Sequence, residues 1–475
     1  MNPGILKSYR LNIFSAFLPV FMALVVSCLC LSKADASGLP SLQFSVHKLE
    51  SGVKGPTILI FGGIQGDEPG GFNAAGLIVT HYRILSGNVW VVPNLNFLSI
   101  IKRSRGVYGD LNRKFDKLSI SDPEYTTIQR VKKLIRSPEV DLVLNLHDGS
   151  GFYRTNYMDR LHNSNRWGQC IIIDQTHVRA KKFSMLSQMA QNAVSDVNKR
   201  LLAPEDMFHL NNTKTAQGNT EMAKTLTYFA IKNKKPAFGI EASKSFITPK
   251  RAYYHLTAIE SFFRQVGIRF QKNFSLTESD IKKAFDENIQ VALNNHKILL
   301  KVENVRKFLN YIPLRKNSPI QFKANNPLMT IIPSGLSYSV FHGNRKLTHL
   351  MPQYFDYDFS INSIDMVIDG KLKKVPFGHI VRVSDNFIVP EIKNHRVNVI
   401  GFTKKACINE AGLTIRKKYI MKKFSIDRKG SLFRVEVYND NKFSGMILVE
   451  FGKHRPDSLD LACEEQVIQK PEPLF

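Results

Sequence analysis

Five short apolar runs punctuate the first part of the chain: Thr57–Phe61, Val89–Val92, Leu142–Leu146, Ile171–Ile173 and Ala237–Ile240. Each is short for a helix and rich in branched aliphatic residues, which suits a strand buried on both faces. Between several of them lie stretches such as Pro123–Arg136 and Met185–Leu202, polar or amphipathic and with helical spacing. Across residues 40–265 this alternation predicts an α/β fold, a mixed sheet with helices on both faces. In such sheets chemistry gathers at the carboxyl ends of the strands. The residues just past each run are therefore the place to look for function.

After Phe270 the pattern changes. Ser275 and Glu278 have the spacing of a capping box and predict a helix running to about Leu293. From Lys297 onward come short β-like segments, among them "KILLKV", "PIQFKA", "HIVRVS", "RVNVIGF" and "LFRVEVY". They predict one or two small β-domains divided near residue 360. A chain of 475 residues is too long for one ordinary core. The expected layout is a leader over 1–36, an α/β part over 37–270, and β-rich parts over 271–360 and 361–475.

The leader follows from Lys7 and Arg10, the apolar run from Leu11 to Leu31, and the small residues of Ala34-Asp35-Ala36. These are the three parts of a secretory signal peptide, with Ser37 as the first mature residue. The length of the run also allows an uncleaved membrane anchor. Of the five cysteines, Cys28 and Cys30 lie in the leader. Cys407 and Cys463 can either form a bridge or remain thiols alongside Cys170. A formal charge of +26 suits an anionic partner such as cell-wall polymer, lipid headgroups or a carboxylate substrate. Nucleic acid is not expected, because the chain has no helix-turn-helix, zinc module or aromatic RNP motif.

Four stretches carry groups able to do chemistry. "FGGIQGDEPGG" follows the first run and sets Gln65 three residues before Glu68, on a glycine-rich turn. "VDLVLNLHDGSG" ends another run in His147. Three protein ligands plus a water are the plan of a catalytic zinc site. "RSRGVYGDLNRKF" supplies Arg105 and the adjacent Asn112 and Arg113. An arginine beside an amide can grip a carboxylate, and a second arginine can face a developing oxyanion. "PAFGIEASKSF" closes the last run with Glu241, a carboxylate suited to act as general base and then acid. Taken singly, each stretch also reads as a turn, a basic surface loop or a strand-end acid.

Together, in this chain order, the four stretches resemble the M14 family of zinc carboxypeptidases. That family carries a His-x-x-Glu pair, an Asn-Arg pair, a second His and a late catalytic Glu. The glutamine at position 65, the leader and the β-rich half narrow the resemblance to the cell-shape-determining peptidoglycan D,L-carboxypeptidases of the Helicobacter–Campylobacter group. The resemblance implies one zinc ion on Gln65, Glu68 and His147, with Glu241 and Arg105 catalytic. It also implies a substrate carboxylate held by Asn112, Arg113 and Arg105. The implied substrate is the peptidoglycan tripeptide L-Ala-γ-D-Glu-meso-diaminopimelate, cut to a dipeptide in the periplasm. One barrel-like and one immunoglobulin-like β-domain are implied as well, offering surfaces to cell-wall or periplasmic protein partners; contact with a membrane surface stays open.

Replacing His by Gln exchanges a neutral nitrogen donor for a neutral oxygen donor, so the ligand set keeps its single negative charge. The amide oxygen is the weaker donor to zinc, and metal affinity should fall. Trp167 is a candidate pocket wall or a packing residue. Two other functions fit parts of the pattern: a wall-binding scaffold with a decayed metal site, and a deacylase of the succinylglutamate-desuccinylase type.

Overall fold

All five apolar runs become strands of one seven-stranded sheet in the computed structural model, which describes residues 42–403 and 408–452. In chain order its strands are β1 (His47–Glu50), β2 (Thr57–Phe61), β3 (Asn88–Val92), β4 (Leu142–Gly149), β5 (Cys170–Ile173), β6 (His209–Asn212) and β7 (Ala237–Ser243). The order across the sheet is β1-β3-β2-β4-β7-β5-β6. Strands β3, β2, β4 and β7 run parallel, while β1 and β5 join antiparallel to β3 and β7. The sheet is therefore mixed, as expected. Strands β2, β4, β5 and β7 are buried along their whole length, which explains why they read as continuous apolar runs rather than alternating ones.

Helices α1 (Pro69–His81), α2 (Tyr125–Arg136), α3 (Leu186–Asn198), α4 (Leu226–Lys232) and α5 (Thr248–Val266) cover the sheet. Helix α5 packs against α1, α3 and β7, so the segments that follow Gln65 and Glu241 share one wall. The capping box does not form. Helix α6 (Glu278–Ala284) is capped instead by Thr277, whose hydroxyl accepts from the Asp280 backbone N–H at 3.2 Å. It also ends well before Leu293. Asn288 turns the chain with φ +57°, and Gln290–Leu293 then pairs as a strand with Ile298–Lys301 and Phe322–Ala324.

Beyond residue 288 the described chain is a set of small sheets around two cores. One core gathers Val291, Leu300, Ile312, Val340 and Leu350. The other lies between two four-stranded sheets and gathers Met366, Phe387, Val397 and Val435. A single hairpin, Leu432–Asn439 with Lys442–Phe451, serves both. Phe433, Val435, Val437, Ile447 and Val449 face the second core, while Leu432, Tyr438, Met446 and Leu448 face the first. Its side chains alternate between two interiors.

The predicted leader at 1–36, and Cys407 and Cys463, lie outside the described residues. Cys170 is a buried free thiol. Among the described residues no helix is long and apolar enough to cross a membrane.

Candidate functional site

The turn after β2 is built from close approach. A β-carbon on Gly66 would lie 2.0 Å from the carbonyl carbon of Ser99, so only glycine lets the two backbones touch there. Gly63 has φ +73°, a conformation that favours glycine. The path delivers Gln65 into the interior and leaves Glu68 as the residue before α1, with Pro69 at the helix start. A carboxylate at that position could cap its own helix, but the Glu68 side chain makes no cap hydrogen bond. It turns instead toward β4, where Glu68 Oε2 accepts from the Asp148 backbone N–H at 3.1 Å.

His147 stands at the centre of the constellation. Its Nδ1 lies 3.1 Å from Gln65 Oε1 and 3.0 Å from Glu68 Oε2. All three side chains are buried. Burial works against a charged imidazole, but the hydrogen bond and charge of Glu68 outweigh it and raise the His147 pKa. Across the parallel β4–β7 pair, Glu241 sits directly opposite His147. Burial lifts the Glu241 carboxyl above its ordinary range, with Glu68 adding to the effect and His147 opposing it. The stretches carrying Gln65, Glu68, His147 and Glu241 are thus brought to one place.

Arg105, Asn112 and Arg113 reach the same region through a residue the sequence reading missed. Asp110 accepts from Gln65 Nε2 at 2.8 and 3.0 Å, through its two oxygens. It also accepts from Arg105 Nε at 2.9 Å and from the Asn112 backbone N–H at 2.9 Å. Burial alone would raise the Asp110 pKa, but these donors hold it below the usual carboxylate value. Arg105 in turn places Nη1 3.8 Å from Glu68 Oε1. Asn112 is buried, with Oδ1 accepting from the Leu226 backbone N–H at 3.0 Å and Nδ2 3.4 Å from His147 Nε2. Arg113 lies at the rim and pairs with Glu221 at 3.5 Å. Trp167 packs with Cys170, Ile172 and Met222.

A second missed residue bears on whether the site suits a metal ion. Asn145 precedes His147 by two on β4, so both side chains leave the same face. Its Nδ2 lies 2.8 Å from His147 Nε2, and its Oδ1 is buried without a hydrogen-bond partner. If His147 Nδ1 is to offer a lone pair to a metal, the ring proton must sit on Nε2 and needs an acceptor. As the contact stands, Nδ2 donates to Nε2; turning the Asn145 amide over exchanges its two ends and presents Oδ1 to an Nε2–H, and with that exchange the donor set fits. Among the described residues no group of three His, Cys, Asp or Glu is gathered to hold a metal. The set closes only when the Gln65 amide oxygen is counted.

Asp148 fixes the frame. Its Oδ2 accepts from the Gly70 backbone N–H at 2.8 Å and from Arg251 Nη1 at 3.1 Å, and its Oδ1 lies 3.0 Å from His255 Nε2. One buried carboxylate thereby ties the start of α1, beside Glu68, to the end of β4 beside His147.

Residues 22–286 match a family model described as "Carboxypeptidase controlling helical cell shape catalytic". Residues 357–452 match a second, described as "C-terminal domain of metallo-carboxypeptidase". Among solved structures, the chain is similar to the apo form of the cell shape determinant protein Csd4 from Helicobacter pylori. The identity is 41%, covering 86% of this chain and 100% of that one, with a TM-score of 0.81. The tripeptide-bound form of Csd4 gives 41% identity, the same coverage and a TM-score of 0.80. Its mDAP-bound form, described as a D,L-carboxypeptidase, gives 41% identity, the same coverage and 0.81. No curated protein matches the chain.

Proposed function

The chain belongs to the family of carboxypeptidases controlling helical cell shape, and on that premise we propose how its residues carry out the reaction. It is a metallocarboxypeptidase, a D,L-carboxypeptidase of peptidoglycan tripeptide stems. The bond to be cut joins γ-D-Glu to the terminal meso-diaminopimelate, and cutting it leaves a dipeptide stem.

The observation that supports the assignment of roles is the convergence of Gln65 Oε1, Glu68 Oε2 and His147 Nδ1, with Glu241 opposite His147. Those three atoms would hold a zinc ion. Zinc bound there would supply a Lewis acid able to polarise a carbonyl and acidify water. Glu241 removes a proton from the attacking water and returns it to the leaving amine. Burial suits it to both tasks, because it raises the carboxyl pKa toward the working pH. Arg105, held by Asp110, turns its guanidinium toward the carbonyl oxygen as negative charge develops there. Asn112 and Arg113 hold the terminal carboxylate, which restricts cutting to the last residue of the stem. Asp110 orients Gln65 through its amide N–H groups, so that the amide oxygen faces Glu68 and His147. Partners that hydrogen-bond to a metal ligand in this way tune both its orientation and the metal affinity.

The same reading divides the chain into a cleaved leader (1–36), a catalytic part (37–270) and two β parts (271–360 and 361–475), and places the mature protein in the periplasm. The decisive measurement is release of diaminopimelate from the tripeptide by Glu241→Gln, purified with zinc. A fall in kcat of about 10²- to 10⁴-fold is expected. Turnover at the wild-type rate would remove Glu241 from the mechanism.

A further inference from the structure

Lys244 has no part in the mechanism above, yet its ammonium stands beside it. It follows β7 by one residue, with its backbone N–H donating to Gly149 O at 2.7 Å and its carbonyl accepting from Arg251 Nη2 at 2.7 Å. Those two bonds anchor the backbone while the side chain stays 29% exposed. Nζ lies 2.6 Å from Asp67 Oδ2 and 3.5 Å from Glu68 Oε1, an oxygen of a proposed metal ligand.

The neighbouring cations already have tasks in the proposed reaction or in the frame around it. Arg105 makes two contacts of 2.9 Å to Asp110. Arg113 pairs with Glu221. Arg251 is consumed by Asp148 and two backbone carbonyls. The neighbours of the Asn112–Arg113 clamp are Asp110, His147, Glu221 and Leu226, whereas Lys244 meets Asp67, Glu68, Gly149 and Arg251. The two sets share no residue, so the lysine serves a different part of a bound substrate.

A γ-linked glutamate supplies that part. When the peptide bond runs through the side-chain carboxyl, the α-carboxylate is left free, a short alkyl chain away from the scissile carbonyl. An α-linked residue carries no such charge there unless it is itself glutamate or another acid. We propose that Lys244 is a specificity-determining residue that binds the free α-carboxylate of the γ-linked glutamate and so selects stems that carry a carboxylate at that position. The assignment rests on the peptidase reading above. A lysine suits the task because its flexible stem can leave Asp67 for a substrate carboxylate without moving the backbone.

The test uses the purified, zinc-loaded protein and two tripeptides, one with the free α-carboxylate and one in which that group is a carboxamide. Release of diaminopimelate reports kcat and KM. Wild type is expected to lose about tenfold in kcat/KM on the amide, the size of one hydrogen bond to a charged group. Lys244→Met loses the same factor on the acid substrate and nothing further on the amide, while Lys244→Arg keeps the preference. A Lys244→Met protein that still discriminates as strongly as wild type overturns the assignment, as does a wild type indifferent to amidation. Wild type that releases diaminopimelate from neither tripeptide overturns the peptidase reading itself, and the assignment with it.

Discussion

Glu241 in the α/β part and Glu436 in the β-rich part are both buried carboxyls on strands, and burial raises the pKa of each. Their surroundings differ. Glu436 has an ion pair with buried Arg434 at 3.1 Å and a hydrogen bond from Tyr438 Oη at 2.7 Å, while Arg434 also donates to the carbonyls of Tyr311 and Asn310. Among the described residues Glu241 makes no side-chain hydrogen bond, and the charges of His147, Glu68, Asp148 and Lys244 act on it. A tethered carboxylate contributes to order; an untethered one remains available to exchange protons. The contrast separates structure from chemistry within one chain.

It can be broken by exchanging the phenotypes. Glu241→Gln should abolish nearly all turnover, as stated above, with its melting temperature at or above that of wild type, because a buried ionisable group has been removed. Glu436→Gln should do the reverse. Arg434 would keep its burial and lose its counter-charge, a change that typically costs about 3–5 kcal/mol. Thermal melting at neutral pH should register that loss while kcat/KM stays at the wild-type value. If Glu436→Gln melts with wild type, the closed network is not what stabilises that hairpin.

Asn145 and Asp358 sharpen the comparison with smaller effects. Asn145→Leu keeps the size of the side chain and removes the amide whose oxygen can turn to accept from His147 Nε2–H. Zinc affinity, read by competition with a chromophoric chelator, should fall about 10- to 100-fold. Asn145→Asp restores an acceptor and should restore the affinity, which a mere packing role would not explain. Asp358 belongs to the tethered class. Burial alone would raise its pKa, but Ser360, Ser444 and His395 hold it down at about 2. Its contribution to stability is therefore complete above the unfolded-state value and is lost as pH falls through the folded one. Asp358→Asn should flatten the acid limb of a melting-temperature profile between roughly pH 5 and 2. An acid limb identical to wild type would show that the contacts in the structure carry no linkage.

The strands that form the site were legible because parallel strands buried on both faces must be uninterrupted apolar runs, and the residues ending them stood out. Gln65, Glu68, His147 and Glu241 could be picked from their positions at those ends. Asp110 could not. Its role comes from bonds to Gln65, Arg105 and Asn112 together, and nothing in "YGDLNR" distinguishes such an acid from a turn-forming one. Asn145 did leave a signal, since a polar residue two before His147 on an otherwise apolar strand must share its face. The α6 cap was misplaced because Ser275 and Thr277 both suit a helix start, and only the extended backbone at Thr277 (φ −127°, ψ 156°) decides between them. The hairpin over residues 432–451 was legible as strands, yet not as shared property, because burial on two faces does not say whether the faces belong to one interior or two.

That sharing has a consequence for how the protein is made. Residues 289–350 cannot complete their interior until Met446 and Leu448 arrive, nearly a hundred residues later in the chain. The sheets flanking Met366 and Phe387 wait for Ile447 and Val449 of the same strand. A chain interrupted before residue 432 would leave two apolar surfaces open at once, visible to proteases and to quality control. Both interiors therefore close only when the same late hairpin is in place.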